Sequence, residues 1–254
     1  MAVDVYSAPF HLYPGTQRAF LVLCDHASNA VPERYGSLGL SAKELERHIA
    51  WDIGARGVAL ALAEKLACPV ILGGASRLLI DLNRSIHDAT SILAESDHTI
   101  VPRNLAVDDD ERAARMREFH VPYHTCIETH LDTLLALGIR PTLISVHSFT
   151  PILGGIARPW PVAVLWKRAR EPVAALLGWF AAHGFLVGDN RPYDARVMLG
   201  WTLEHHALRR DLLDVLFEIR SDGIDTPQAQ RDWGARLYRA IVETGFGRMD
   251  HRGL

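Results

Sequence analysis

Two histidines stand just beyond short apolar runs. His26 follows Phe20-Leu21-Val22-Leu23-Cys24, and His147 ends the run Thr142-Leu143-Ile144-Ser145-Val146 before a polar turn. If both runs are strands of an open α/β sheet, both imidazoles sit at carboxyl ends of strands, where such sheets bind ligands. Neutral imidazole is a common zinc ligand, and a catalytic zinc site uses about three protein ligands plus one position open to water. The plainer alternative is two hydrogen-bonded, loop-facing histidines in a chain that holds 13.

A second pattern is Ser76-Arg77-Leu78-Leu79-Ile80-Asp81-Leu82-Asn83-Arg84, an apolar run punctuated by charges and an amide. A guanidinium at the end of a buried strand needs a carboxylate, and its planar fork matches one in two-point geometry. Arg77 and Arg84 beside one site suit an acidic substrate; the alternative is a structural ion pair of Asp81 with either arginine. Near the C-terminus, Val215-Leu216-Phe217-Glu218-Ile219-Arg220 places a carboxylate inside what reads as a buried strand. Burial raises the proton affinity of Glu218, as a general base that later acts as an acid requires. Alternation puts 218 and 220 on one face, so an ion pair with Arg220 is the competing account.

Other histidines carry less. His120 and His124 have the i, i+4 spacing of a helical zinc-protease motif, but Val121 stands where that motif needs glutamate. His205 and His206 follow Glu204 on a predicted helix and read as solvated or capping residues. Ser148 lacks the G-x-S-x-G elbow that would expose and activate a hydroxyl.

The elements that must position these groups alternate between short β-rich runs and longer stretches of helical period, the pattern of a sheet covered by helices. The predicted strands are 19–24, 69–72, 78–82, 142–146, 162–166, 185–187 and 215–219. Ser41 with Glu44 forms a capping box that opens a helix running towards Ala67. The acidic run 108–111 opens a second long helix, bent by Pro122. Further helices are expected near 169–183, 195–209 and 227–243. With 254 residues, 48% hydrophobic and 22% charged, the chain has the composition of one elaborated globular α/β domain spanning 1–254. Lys plus Arg number 27 against 30 acidic residues, and no basic stripe is present, which disfavours nucleic acid as a partner. Cys24, Cys68 and Cys126 show no C-x-x-C spacing, so neither a disulfide framework nor a thiolate zinc site is indicated and a cytoplasmic location is expected. No apolar run of about 18 residues offers a membrane span.

In this order, Cys24-Asp25-His26-Ala27-Ser28-Asn29, His48-Ile49-Ala50-Trp51-Asp52-Ile53-Gly54, Ser76-Arg77 through Asp81-Leu82-Asn83-Arg84, Pro122-Tyr123-His124, His147-Ser148-Phe149 and Glu218-Ile219-Arg220 resemble the N-formylglutamate amidohydrolase family over most of the chain. The resemblance implies kinship with zinc carboxypeptidases: a mixed, mostly parallel sheet flanked by helices, and a metal-activated water. It further implies one Zn²⁺ per chain held by His26 and His147, Arg77 polarising the scissile carbonyl, and Asn83 and Arg84 clamping a substrate carboxylate. Glu218 would be the general base, and His124 would line the pocket. One departure matters. Where the carboxypeptidase pattern has a glutamate ligand three residues after the first histidine, this chain has Asn29. Asp52 is the leading replacement and Asp25 the second, while an ion pair of Asp52 with His48, four residues earlier, is the structural alternative.

The implied reaction is hydrolysis of N-formyl-L-glutamate, or a similar N-acyl acidic amino acid, to the acid and the free amino acid. A related reading keeps the metal but changes the substrate to another N-acyl amino acid, a small peptide or a cell-wall fragment, selected by loops 150–161 and 188–194. A reading from another class is a metal-free binder of an acidic metabolite through Arg77 and Arg84. Asn29 favours it; the joint presence of His26, His147 and Glu218 speaks against it. A homodimer is the base-rate expectation.

Overall fold

The computed structural model describes residues 8–168, 170–197 and 200–247. Among them the strands are β1 (Phe10–Tyr13), β2 (Phe20–Cys24), β3 (Val70–Gly73), β4 (Glu95–Ser96), β5 (Thr99–Ile100), β6 (Thr142–Phe149), β7 (Ile152–Leu153), β8 (Ile156–Ala157), β9 (Val162–Leu165), β10 (Val187–Asp189) and β11 (Asp214–Arg220). β4 with β5 and β7 with β8 are two small ribbons; the other seven strands form one sheet in the order β1-β3-β2-β6-β11-β9-β10. β3, β2, β6 and β11 run parallel, β9 is antiparallel to β11, and β1 closes one edge antiparallel to β3.

The helices are α1 (Ala42–Leu45), α2 (Ala55–Leu66), α3 (Asp109–Arg115), α4 (Val121–Ala136), α5 (Glu171–Ala182), α6 (Trp201–His206) and α7 (Pro227–Thr244). The central strands are buried on both faces, which is why they read as continuous apolar runs. Val22, Cys24, Ile144, Val146 and Phe217 pack against α2, α5 and α7 through Val58, Leu62, Phe180 and Leu237. The alternate residues Leu21, Leu23, Leu143 and Leu216 pack against α4 and the long connections through Tyr123, Ile127, Leu131 and Leu38. The result is the single-domain α/β fold with a mostly parallel sheet that the sequence predicts, and no described helix is long and apolar enough to cross a membrane.

Several boundaries differ from expectation, each for a local reason. The stretch 78–82 is not a strand. Its carbonyls are taken by side chains, Leu78 by Asn104 Nδ2 and Leu79 by Arg115 Nη1, at 2.8 and 2.9 Å. The seventh place in the sheet goes instead to β1, a half-exposed edge strand without apolar alternation. The capping box of Ser41 and Glu44 is present, yet its helix stops after four residues and α2 starts only at Ala55. The intervening backbone is bound to the ends of other segments: Asp52 N–H donates to His26 O at 3.0 Å, and Ala50 O accepts from Arg77 N–H at 3.1 Å and Ser76 Oγ at 2.8 Å. Gly54 ends this detour with a positive φ of 80°, and a Cβ there would lie 2.3 Å from Ile224 O.

The second long helix widens just before Pro122, where Val121 N–H reaches back to Met116 O. α6 is shorter than predicted, since residues 195–197 belong to a loop, and Ala169, the expected start of α5, lies outside the described residues, as do Met198 and Leu199. β6 runs through Phe149, so His147 belongs to the strand rather than to a turn after it.

Two glycines test the packing. A Cβ on Gly234 of α7 would lie 2.5 Å from Ala61 Cβ and 2.9 Å from Leu62 N on α2, whereas one on Gly178 of α5 meets nothing within 4 Å. Gly234→Ala should cost about 1–3 kcal/mol in urea denaturation by forcing the helices apart. Gly178→Ala should add about 0.5–1 kcal/mol, because an interior helical glycine gives up more chain entropy. Equal effects of the two substitutions would contradict this packing.

Candidate active site

The parity of the strands gathers the polar groups on one face. Leu143, Ser145 and His147 alternate along β6, Leu216 and Glu218 along β11, and in the parallel register His147 pairs with Glu218. The continuation of β2 supplies Asp25 and His26, the detour between α1 and α2 supplies Asp52, and the irregular stretch after β3 supplies Arg77, Asp81, Asn83 and Arg84. His26, Asp52, Arg77, Asp81, Asn83, Arg84, His147 and Glu218 line one pocket of about 580 Å³ near the carboxyl ends of β2 and β6.

At its floor, one ligand atom from each of His26, Asp52 and His147 lies within 4.8 Å of the others, and all three residues are buried. His147 Nδ1 is 2.7 Å and His26 Nδ1 3.4 Å from Asp52 Oδ2. Each far ring nitrogen faces another carboxylate, His26 Nε2 at 2.8 Å from Asp81 and His147 Nε2 at 3.1 Å from Asp25. Burial disfavours charge on both rings, but the carboxylates outweigh it and hold each imidazole above its ordinary pKa. Burial likewise opposes ionisation of Asp25, yet the His147 hydrogen bond and nearby imidazole charges bring it down to about 2. Asp52 and Asp81 are also held below the usual carboxylate range, by the histidines and, for Asp81, by Arg77 first.

This donor set fits a divalent cation. Asp25, Asp52 and Asp81 carry three negative charges, which Arg77 and the two imidazoles balance when both rings are protonated. A dication taking the place of the two Nδ1 protons leaves that balance unchanged, while each ring keeps its Nε2 proton and donates it, His26 to Asp81 and His147 to Asp25. Carboxylates behind metal-bound imidazoles are a recurring means of fixing tautomer and ring orientation. Asp52 therefore stands in the ligand group, Asp25 stands behind it, and Asn29 is occupied elsewhere, donating to Leu45 O at 3.0 Å. The alternative partner of Asp52, His48, lies instead 3.4 Å from Asp97.

Glu218 is buried, its Oε2 has no hydrogen-bond partner among the described residues, and burial is the main reason its pKa rises to about 7. Arg220 does not pair with it: that guanidinium bonds Asp222 and the carbonyls of Arg158 and Pro159. Arg77 lies 2.7 Å from Asp81 and 3.5 Å from Asp52 while lining the pocket. The structural ion pair considered for Asp81 is thus present, and the same carboxylate also orients His26. Ser148 lines the pocket too, but its hydroxyl donates to Ile53 O at 2.9 Å.

The loop bearing Asn83 and Arg84 is held from behind. Asn83 Oδ1 and O accept from the backbone N–H groups of Thr202 and Trp201, each at 3.0 Å. His124 Nε2 donates to Leu82 O and His120 Nε2 to Arg84 O, both at 2.8 Å. His124 Nδ1 then accepts from His206 Nε2 at 2.9 Å, and the two rings stack. Burial first, and then the neighbouring histidines, lower His124 to about 3 and His206 to about 2, so both rings are neutral. His124 therefore sits outside the pocket lining, and His206 is fully buried rather than solvated, because its helix packs onto α4. Tyr123 and Thr202 escape a reading by motif. Their hydroxyls donate to Asp25 at 2.8 and 2.7 Å; the stretch Pro122-Tyr123-His124 is the one sign of Tyr123, and nothing in the sequence points to Thr202.

Comparison with known proteins agrees with this architecture. Residues 18–224 match the N-formylglutamate amidohydrolase family. A gene product of Agrobacterium tumefaciens has a solved structure that superposes with a TM-score of 0.91 at 29% identity, covering 98% of this chain and 99% of that one. The N-formylglutamate amidohydrolase of Ralstonia eutropha JMP134 superposes with a TM-score of 0.67 at 17% identity, over 94% and 99%, and shares the fold. No curated protein matches the chain.

Removing Asp81 takes from His26 and Arg77 the nearer of the two carboxylates they share, leaving only the longer contacts to Asp52. Asp81→Ala should therefore lower the stability of the metal-free protein by about 3 kcal/mol or more, the usual loss when one partner of a buried pair is deleted. Urea denaturation in the presence of a chelator measures it; a loss under about 1 kcal/mol would show that the pair does not order the site.

Proposed function

Because the chain belongs to the N-formylglutamate amidohydrolase family, and is thereby a hydrolytic enzyme acting on amides, we propose that it cleaves N-formyl-L-glutamate or a closely similar N-acyl acidic amino acid with one zinc ion per chain. His26, Asp52 and His147 would hold the ion. What supports this reading above all is that those three residues open onto the same pocket as an arginine pair and a buried, unpartnered glutamate.

Zinc bound at such a site polarises a carbonyl and lowers the pKa of water towards about 7. The remaining steps fall to the chain's own groups. Glu218 takes the proton of the attacking water and later returns it to the leaving amine, a double duty suited to a carboxyl whose pKa is about 7. Arg77 donates to the oxygen on which negative charge grows as the carbonyl becomes tetrahedral. Asn83 and Arg84 grip a substrate carboxylate and so fix the amide relative to Glu218. Asp25 and Asp81 keep the rings of His147 and His26 turned the right way, and Tyr123 and Thr202 hold Asp25.

Elemental analysis of purified protein should find about one zinc per chain, lost in the His26→Ala, His147→Ala double variant; a chain that takes up no zinc when it is supplied overturns the metal assignment. Comparing formyl, acetyl and succinyl glutamate as substrates identifies the acyl group.

Glu218→Gln should lower kcat by about 10²–10⁴-fold, and Arg84→Ala should act mainly on KM. A Glu218→Gln protein that turns over at near the parent rate removes Glu218 from the mechanism. The pH profile carries a separate expectation. Since a base works only when deprotonated, kcat/KM should rise with pH through an acid limb near the Glu218 pKa of about 7, and a cation beside it can only move that limb lower. A rate that falls over this range contradicts the assignment.

A further inference from the structure

Two arginines are buried among the described residues, and their surroundings differ sharply. Arg115 is met by Glu111, Asn104 and the Leu79 carbonyl. Arg158, only 8% exposed, has no carboxylate within 4 Å among the described residues, and its guanidinium makes one hydrogen bond, from Nη1 to the Tyr193 hydroxyl at 3.1 Å. The rings of Tyr193 and Phe149, with centroids 5.0 and 5.9 Å from Cζ, supply some cation–π attraction. A guanidinium has five N–H donors, and leaving a desolvated one without an anion is costly.

Tyr193 connects this cation to the pocket. It lines the same cavity as Arg77, Arg84 and Glu218, and its hydroxyl accepts from Arg158 while its own proton meets no acceptor among the described residues. The loop that carries it is fixed, because Asn190 is buried and bridges both backbone groups of Trp166, accepting from its N–H at 2.9 Å and donating to its carbonyl at 3.0 Å. The one carboxylate in residues 190–200, Asp194, is already engaged by Arg196. A polarised phenol backed by an uncompensated guanidinium matches an anion with two acceptor oxygens.

We propose that Arg158 and Tyr193 form a second anion subsite, which takes a carboxylate of the substrate other than the one gripped by Asn83 and Arg84. The proposal rests on the reading of that first clamp given above. The second carboxylate has two sources, the side chain of the amino acid or the end of a dicarboxylic acyl group. Two substrate pairs separate them: N-formyl-L-glutamate against N-formyl-L-glutamine, and N-succinyl-L-glutamine against its acyl-terminal amide.

In one of these pairs the parent enzyme should favour the charged member by roughly tenfold or more in kcat/KM. Arg158→Met should bring that ratio to within about threefold of unity and leave the neutral member within about threefold of its parent value. Tyr193→Phe, at a partly exposed position, should lower the same ratio by about threefold or more, and it decides the matter should Arg158→Met fail to fold by circular dichroism. An unchanged ratio, an equal loss for both members, or no preference in either pair overturns the subsite. If the parent protein hydrolyses none of the four compounds, the hydrolase reading fails separately. The subsite is then judged by calorimetry with glutarate: binding abolished by Tyr193→Phe or Arg158→Met supports it, and binding that is absent or insensitive overturns it.

Discussion

Six ionisable groups meet beneath the pocket, and the physics of burying them governs the rest of the molecule. Asp25, Asp52 and Asp81 interlock with His26, His147 and Arg77, each carboxylate touching two or more polar partners. A buried charge is tolerable only when it is paired and its remaining lone pairs are satisfied. That requirement explains features that look unrelated in sequence. Tyr123 comes from α4 and Thr202 from α6 to complete Asp25, and the helix opened by Ser41 is abandoned so that Asp52 can reach two imidazoles.

The clamp loop obeys a similar demand for its backbone. Leu82 and Arg84 lie outside the sheet, so their carbonyls have no strand partner, and a buried carbonyl without a donor is costly. His124 and His120 provide the donors, and His206 fixes the tautomer that allows His124 to do so. Histidines that resemble metal ligands by spacing are thus neutral struts here, and being neutral is what lets His124 accept at Nδ1 from His206 while it donates at Nε2 to Leu82 O.

How far the residues themselves declare this arrangement depends on the kind of interaction. The strands at the centre of the sheet are legible because burial on both faces leaves uninterrupted runs such as Phe20–Cys24 and Thr142–Val146. His26, His147, Arg77 and Glu218 are legible because charge or imidazole in or beside an apolar run is conspicuous against that background, and the family resemblance assigns them roles that no periodicity could. The edge strand β1 is hidden because exposure erases its alternation, and the run 78–82 imitates a strand because the donors that occupy its carbonyls, Asn104 and Arg115, lie more than twenty residues away. The burial of His206 is equally nonlocal, since it follows from α6 docking on α4. Arg158 is marked in sequence only by its place in the substrate-selecting loop 150–161; its isolation from carboxylates exists only in three dimensions.

The register that pairs Glu218 with His147 has a consequence for how the chain reaches its native topology. Side chains alternate along a strand, so a slip of β11 by one residue against β6 would turn Glu218 to the opposite face, among Val146, Phe180 and Leu237, and bring Phe217 and Ile219 towards the polar floor. Nothing on that apolar face can accept a carboxyl group without a severe desolvation loss. The glutamate proposed for proton transfer therefore also proofreads strand alignment: a misregistered sheet is destabilised by the very residue on which the proposed chemistry depends.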